Sequence, residues 1–142
     1  MYTYQYPRAA LTVDAIVFVK EENTISVLLI QRGREPFLNQ WALPGGFVNM
    51  DETLEVACKR ELEEETGLKV EQMTQFKTYD AIDRDPRHRT ISVIYYTELK
   101  EKQPVSGSDD AAQAKWFSIN SLPQLAFDHQ LILEDFKRFL AK

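Results

Sequence analysis

Apolar residues run almost unbroken through Leu11–Val19 and again through Ile25–Arg32, with the polar Lys20-Glu21-Glu22-Asn23-Thr24 between them. β-branched runs of that length, bounded by a polar connection, predict two strands joined as a hairpin and lying inside a sheet. Trp41-Ala42-Leu43 is a shorter apolar piece ended by Pro44-Gly45-Gly46, which predicts a turn. Met73–Tyr79 and Thr90–Leu99 predict two more strands, the second with the alternating series Ile91, Val93, Tyr95. Between them lies the charged loop 83–89. Pro104–Asp110 predicts a polar loop, Ala114–Ile119 a last strand, and Leu131–Leu140 an amphipathic helix through Ile132, Phe136, Phe139 and Leu140.

The segment from Asp51 to Gly67 follows a different period. Asp51 suits a helix N-cap and Gly67 the left-handed position beyond a helix end. At helical spacing Leu54, Cys58, Glu61, Leu62 and Glu65 share one side, while Glu55, Lys59 and Glu63 share the other. Two glutamates thus stand where a helix ordinarily buries hydrocarbon. A solvated face with i to i+4 pairs explains Glu55, Lys59 and Glu63, but not acids inside the apolar stripe. Carboxylates crowded away from water must take up protons or hold a cation. Glu64, three residues from Glu61, joins them at the edge of the face, so three carboxylates are expected to converge. Hard oxygen ligands of this kind suit Mg²⁺ or Mn²⁺. Arg60, four residues before Glu64, can fix one carboxylate and leave the others free.

Composition narrows the classes. A chain of 142 residues fits a single domain, 1–142, and no apolar run approaches the roughly 20 residues of a membrane helix. The formal charge of −5 argues against a nucleic-acid surface, while Arg84, Arg87, His88 and Arg89 could meet a small anion. Cys58 is the one cysteine and reads as packing. With a tyrosine-rich start that lacks the order of a secretory signal, these features predict a cytoplasmic protein with no membrane partner.

Written out, the central segment is Gly46, five residues, Glu52, seven residues, then Arg60-Glu61-Leu62-Glu63-Glu64-Glu65-Thr66-Gly67-Leu68. It resembles the Nudix box at every defined position. Three further stretches resemble the branch that includes ADP-ribose pyrophosphatases and related sensor domains: Tyr79-Asp80 through Asp83-Arg84-Asp85-Pro86-Arg87 to Arg89, Asp109-Asp110 through Trp116-Phe117, and Leu125-Ala126-Phe127-Asp128-His129. The resemblance implies an α/β fold, an α/β/α sandwich with a mixed sheet between helices. It implies Glu61, Glu64 and Glu65 as metal residues, with the carbonyl of Gly45 or Gly46 completing the site. Glu64 is the first candidate for general base, with Asp83, Asp109 and Asp110 open as alternatives. Glu52, expected in the first helical turn near the positive end of the dipole, reads as mainly structural.

The chemistry implied is attack of a cation-activated water on one phosphorus of a diphosphate, with Glu64, Glu61 and Arg60 as the catalytic group. The expected ligand is ADP-ribose or a related nucleoside diphosphate sugar, held by Arg32, Arg84, Arg87 and Arg89 as cations, with Trp41 or Phe127 as stacking groups. A triphosphate pyrophosphatase and a non-catalytic sensor module are the alternatives. The chain ending at Lys142 directly after its last helix weighs against an attached DNA-binding domain. Asp128 is expected to cap that helix rather than pair with His129, and the arm carrying Tyr2, Tyr4, Tyr6 and Arg8 is expected to pack across a twofold partner, as a homodimer.

Overall fold

The computed structural model of the protein describes residues 2–142. Its element order is β1 (Ala10–Glu21), β2 (Thr24–Arg32), β3 (Trp41–Ala42), β4 (Gly45–Phe47), α1 (Leu54–Thr66), β5 (Thr74–Tyr79), β6 (Thr90–Leu99), β7 (Ala111–Ser118) and α2 (His129–Leu140). The seven strands form one mixed sheet in the order β3-β2-β1-β6-β5, with β4 added beside β1 and β7 beside β2. β1 runs parallel to β6 and antiparallel to β2, as the predicted hairpin requires.

Alternation along the central strands builds two cores. Val13, Ala15 and Val17 of β1 join Leu28 and Ile30 of β2 and Val93 and Tyr95 of β6 against Ala57, Cys58 and Leu62 of α1. The intervening residues Ile16, Phe18, Val27, Leu29 and Ile94 pack on the other face against Ile132, Leu133 and Phe136 of α2. The fold is the expected α/β/α sandwich. Strands buried on both faces read as continuous apolar runs, which is why β1 and β2 show no clean alternation in sequence. Among the described residues no helix is long and apolar enough to cross a membrane.

The sheet splits where the site forms. β1 pairs with β2 over Phe18–Glu21, but over Thr12–Asp14 it pairs with β4, while Ile30 and Gln31 of β2 pair with β3. The two central strands therefore splay, and a cleft opens between them. Gly45-Gly46, expected as a turn, is strand: Gly45 and Gly46 stand opposite Asp14 and Val13.

Both helix starts differ from expectation. α1 is capped by Thr53, whose hydroxyl accepts the Val56 N–H at 3.3 Å, and not by Asp51. Glu52 consequently lies before the helix, outside the first turn. At the other end Gly67, at φ 78°, ends α1 in the left-handed conformation as expected, its N–H on the Glu63 carbonyl. Asp128 makes no side-chain cap to α2, because Arg84 holds both of its oxygens at 2.7 and 2.9 Å.

Candidate active site

The cleft has a volume of about 300 Å³, and Asp14, Gly45, Gly46, Glu61, Glu65 and His129 line its inner part. α1 delivers Glu61 and Glu65 from one side of the split sheet, and the N-terminus of α2 delivers His129 from the other. Each carboxylate is seated on backbone. Oε1 of Glu65 accepts the Gly45 N–H at 2.8 Å. A Cβ at Gly46 would stand 2.6 Å from the Glu61 carboxyl carbon, and one at Gly45 would overlap the Asp14 carboxylate and the Val13 carbonyl. Glycine is required at both positions so that two acids can close on the strand.

Arg60 organises the approach to the cleft. Its Nε and Nη2 grip Glu52 at 3.0 and 2.6 Å, Nη2 also reaches the Phe47 carbonyl at 3.1 Å, and Nη1 is shared by Glu61 at 2.9 Å and Glu64 at 3.0 Å. One guanidinium thus ties the segment after β4 to α1. The Arg60 hydrogen bond, with the Asn49 N–H behind it, holds the Glu52 carboxyl below the usual carboxylate range. Arg60 therefore holds three carboxylates, where sequence spacing predicted one.

Glu65 is 5% exposed, and burial raises its pKa to about 8. Burial likewise raises Glu61, which is partly relieved by Arg60. The expected trio is divided: Glu61 and Glu65 face the cleft, while Glu64, with 43% of its side chain exposed, lies at the rim on Arg60. Among the described residues no three His, Cys, Asp or Glu side chains stand as a ready-made ion cage. That arrangement still fits a hard dication that keeps several waters and uses one or two carboxylates with substrate phosphates. Glu61, Glu65 and the Gly45 carbonyl are all oxygen donors, and burial raises both acids above the usual carboxylate range.

The proposed substrate residues separate. Arg32, Arg84, Arg87 and Phe127 line the cleft; Trp41 and Arg89 do not. The Trp41 ring, partly buried, packs edge-on against Phe117 at 4.8 Å beside the α2-side core. Arg89 donates to the carbonyls of Asp80 and Ala81 and braces the loop before β6. Arg84 is only 4% exposed and bound to Asp128 and to the Ser92 hydroxyl, a strut between that loop and α2. Arg87 lies on Asp85 and over the rings of Phe47 and Phe127, and Arg32 stands over Phe127 at 5.0 Å. Of the four arginines expected from the sequence, Arg32 and Arg87 remain at the open part of the cleft, where the exposed Arg34, paired with Asp110, also stands.

Asp14 escaped sequence reasoning, and His129 was weighed there only as a partner of Asp128. Asp14 is 7% exposed, and burial raises its pKa to about 7. Its signal was an acid inside the apolar run of β1, the same anomaly that marked Glu61 and Glu65 in the helix. His129 is 4% exposed, with its pKa lowered to about 4 by burial, and its Nδ1 accepts the Leu43 N–H at 3.0 Å. The Asp128-His129 pairing does not form, since each side chain turns to a different partner.

The architecture is thus a split mixed sheet between two helices, with glutamates of one helix and a glycine strand facing each other across a cleft. The NUDIX domain model matches residues 9–136, and the chain belongs to the Nudix family. It is 41% identical over 134 residues to an ADP-ribose pyrophosphatase of Methanocaldococcus jannaschii, covering 94% of this chain and 76% of that protein. Its fold matches the NUDIX domain of Shewanella oneidensis NrtR complexed with ADP ribose, with a TM-score of 0.88 and 32% identity over 95% of this chain and 90% of that one. A bifunctional NMN adenylyltransferase/ADP ribose pyrophosphatase of Francisella tularensis, complexed with AMP and a Mn ion, matches with a TM-score of 0.83 and 30% identity. The match covers 95% of this chain and 43% of that longer one.

Proposed function

We propose that the protein is a divalent-metal-dependent pyrophosphohydrolase that cleaves ADP-ribose, or a closely related nucleoside diphosphate sugar, to a nucleotide and a sugar phosphate. The observation that carries this reading is the complete box with Glu61 and Glu65 turned into the cleft beside Gly45 and Gly46. Mg²⁺ or Mn²⁺, held by Glu61, Glu65 and the Gly45 carbonyl with Glu64 at the rim, would neutralise the diphosphate and supply a reactive water. The chain's own residues do the rest. Arg32 and Arg87 bind the phosphoryl oxygens, and Phe127 offers its face to the nucleoside. Glu64, exposed and held by Arg60, would take the proton of the attacking water. The reading includes cytoplasmic residence and a homodimer, whose contact would use the exposed Tyr2 and Tyr6 of the N-terminal arm.

A panel of ADP-ribose, sugar nucleotides, dinucleotides and nucleoside triphosphates with Mg²⁺ tests the assignment. The preferred substrate should be ADP-ribose, giving AMP and ribose 5-phosphate; triphosphates as the only substrates would replace it. A second reading, a sensor module, draws on the likeness to the NrtR domain, which spans most of that chain. Tight ADP-ribose binding with no turnover in Mg²⁺ would select it.

A further inference from the structure

His129 and Asp14 present a fixed donor and a fixed acceptor to each other across a gap. The Nδ1 of His129 accepts the Leu43 N–H at 3.0 Å, so that nitrogen carries a lone pair and the proton of the neutral ring is on Nε2. Nε2 stands 3.9 Å from Oδ2 of Asp14, beyond direct hydrogen-bond reach. Both side chains are nine-tenths buried or more, at 5% and 10% exposure, and both line the cleft. The cations beside Asp14 are turned elsewhere, Arg84 to Asp128 and Ser92 and the Nε of Arg32 to the Pro36 carbonyl. Among the described residues no polar side-chain atom sealed from solvent lacks a partner, which leaves the facing atoms of this pair open to the cleft.

The group that completes such a gap must accept from an N–H and donate to a carboxylate. A bare cation would face the Nε2 proton, and a phosphoryl oxygen, which has no proton to give, would face an acceptor oxygen of Asp14. A hydroxyl, a water's or a ligand's, meets both conditions. We infer that Asp14 and His129 form a hydroxyl-recognition pair that selects a ribose-bearing ligand, one sugar hydroxyl accepting from His129 Nε2 and donating to Asp14. This rests on the reading of the ligand as a nucleoside diphosphate sugar and adds the element that distinguishes its sugar from a bare diphosphate. A site built to bond a hydroxyl rejects the analogue without it strongly, because two buried polar groups are then left unmatched.

The test is calorimetric binding of ADP-ribose and of analogues lacking one ribose hydroxyl at a time, in Ca²⁺ to suppress turnover, with the native protein and Asp14→Asn. One deoxy analogue should bind the native protein at least tenfold more weakly than ADP-ribose, and Asp14→Asn should shrink that ratio below threefold. Equal binding of every analogue by the native protein, or a ratio unchanged in Asp14→Asn, would overturn the inference. Loss of Mn²⁺ affinity in Asp14→Asn without any change in the hydroxyl ratio would instead make Asp14 a metal residue. The ring nitrogens provide a readout without a variant, since the chain has two histidines. Nitrogen NMR should show His129 neutral with its proton on Nε2, shifted by ADP-ribose and unshifted by the discriminating analogue; a proton on Nδ1 would overturn the pair. Hydroxyl-dependent binding with no hydrolysis in Mg²⁺ would remove the enzymatic reading and leave this one standing, whereas failure of ADP-ribose to bind would remove both.

Discussion

At the scale of single residues, the site is a set of acids largely withdrawn from solvent into the cleft. Glu65 shows the consequence most clearly, because burial raises its pKa to about 8 and its one backbone hydrogen bond, from Gly45, only partly offsets that cost. Replacing it by Gln keeps the shape and removes the charge. Turnover in Glu65→Gln should fall on the order of 100-fold or more through loss of a metal-holding oxygen. The metal-free variant should melt at least as high as the native protein at pH 8, because no buried charge has to form. A lower melting temperature with activity retained would show Glu65 to be a structural residue. Phe127, at φ 53°, spends backbone strain to stand in the cleft beneath Arg32 and Arg87, which accords with a binding role.

At the scale of elements, α1 is held at both ends and along its acidic edge. Thr53 caps its start, while Ser106 and Ser108 donate their backbone N–H groups to the Thr66 and Glu65 carbonyls near its last turn. Thr53→Ala should cost about 1 kcal/mol, a melting shift of a few degrees, with little effect on turnover at saturating substrate. Gly46→Ala should do the reverse of that balance. Its Cβ would displace the Glu61 carboxylate, so activity should drop tenfold or more while the two cores stay intact. Equal stability and activity losses in the two variants would contradict this division between scaffold and site.

Elements were also where the sequence spoke unevenly. The period of α1 exposed Glu61 and Glu65, since an acid in an apolar stripe has no ordinary explanation. It could not reveal that Arg60 would reach back to Glu52, because that bond depends on how the segment after β4 folds over the helix. Pro44-Gly45-Gly46 reads as a turn by local preference, yet the pairing of Gly45 with Asp14 in β1 makes it strand. Trp41 and Arg89 carry side chains that suit a ligand equally well and a core or a loop brace; only their neighbours in three dimensions decide. Asp14 was visible in principle, being an acid within an apolar strand, and the rule applied to the helix would have found it.

At the scale of the whole molecule, the sheet joins two cores and leaves an acidic cleft between them, so stability should depend on pH and metal together. Native Asp14 and Glu65 hold protons up to about pH 7 and 8, whereas in the unfolded chain they release them near 4. Their contribution is therefore full at acid pH and is lost as pH rises through the folded values. His129 opposes this, since its value falls from 6.5 to about 4 and it costs stability only below about pH 6.5. Between pH 6.5 and 8 the carboxylates act alone. The metal-free protein should lose on the order of 1–2 kcal/mol across that window, seen as a falling melting temperature. Excess Mg²⁺ should recover the loss and stabilise more at pH 8 than at pH 6.5. A flat metal-free profile, or equal stabilisation at both values, would contradict the description of the cleft as a store of buried negative charge.

Whether this cleft breaks a nucleoside diphosphate bridge with a metal held by Glu61 and Glu65 is read from phosphorus NMR of ADP-ribose incubated with the protein in isotopically labelled water, with Mg²⁺ or with EDTA, beside Glu65→Gln. AMP and ribose 5-phosphate, one of them carrying the label on phosphorus, should form only with the native protein and metal. Intact ADP-ribose after prolonged incubation with Mg²⁺ or Mn²⁺, or equal product from Glu65→Gln, would contradict it.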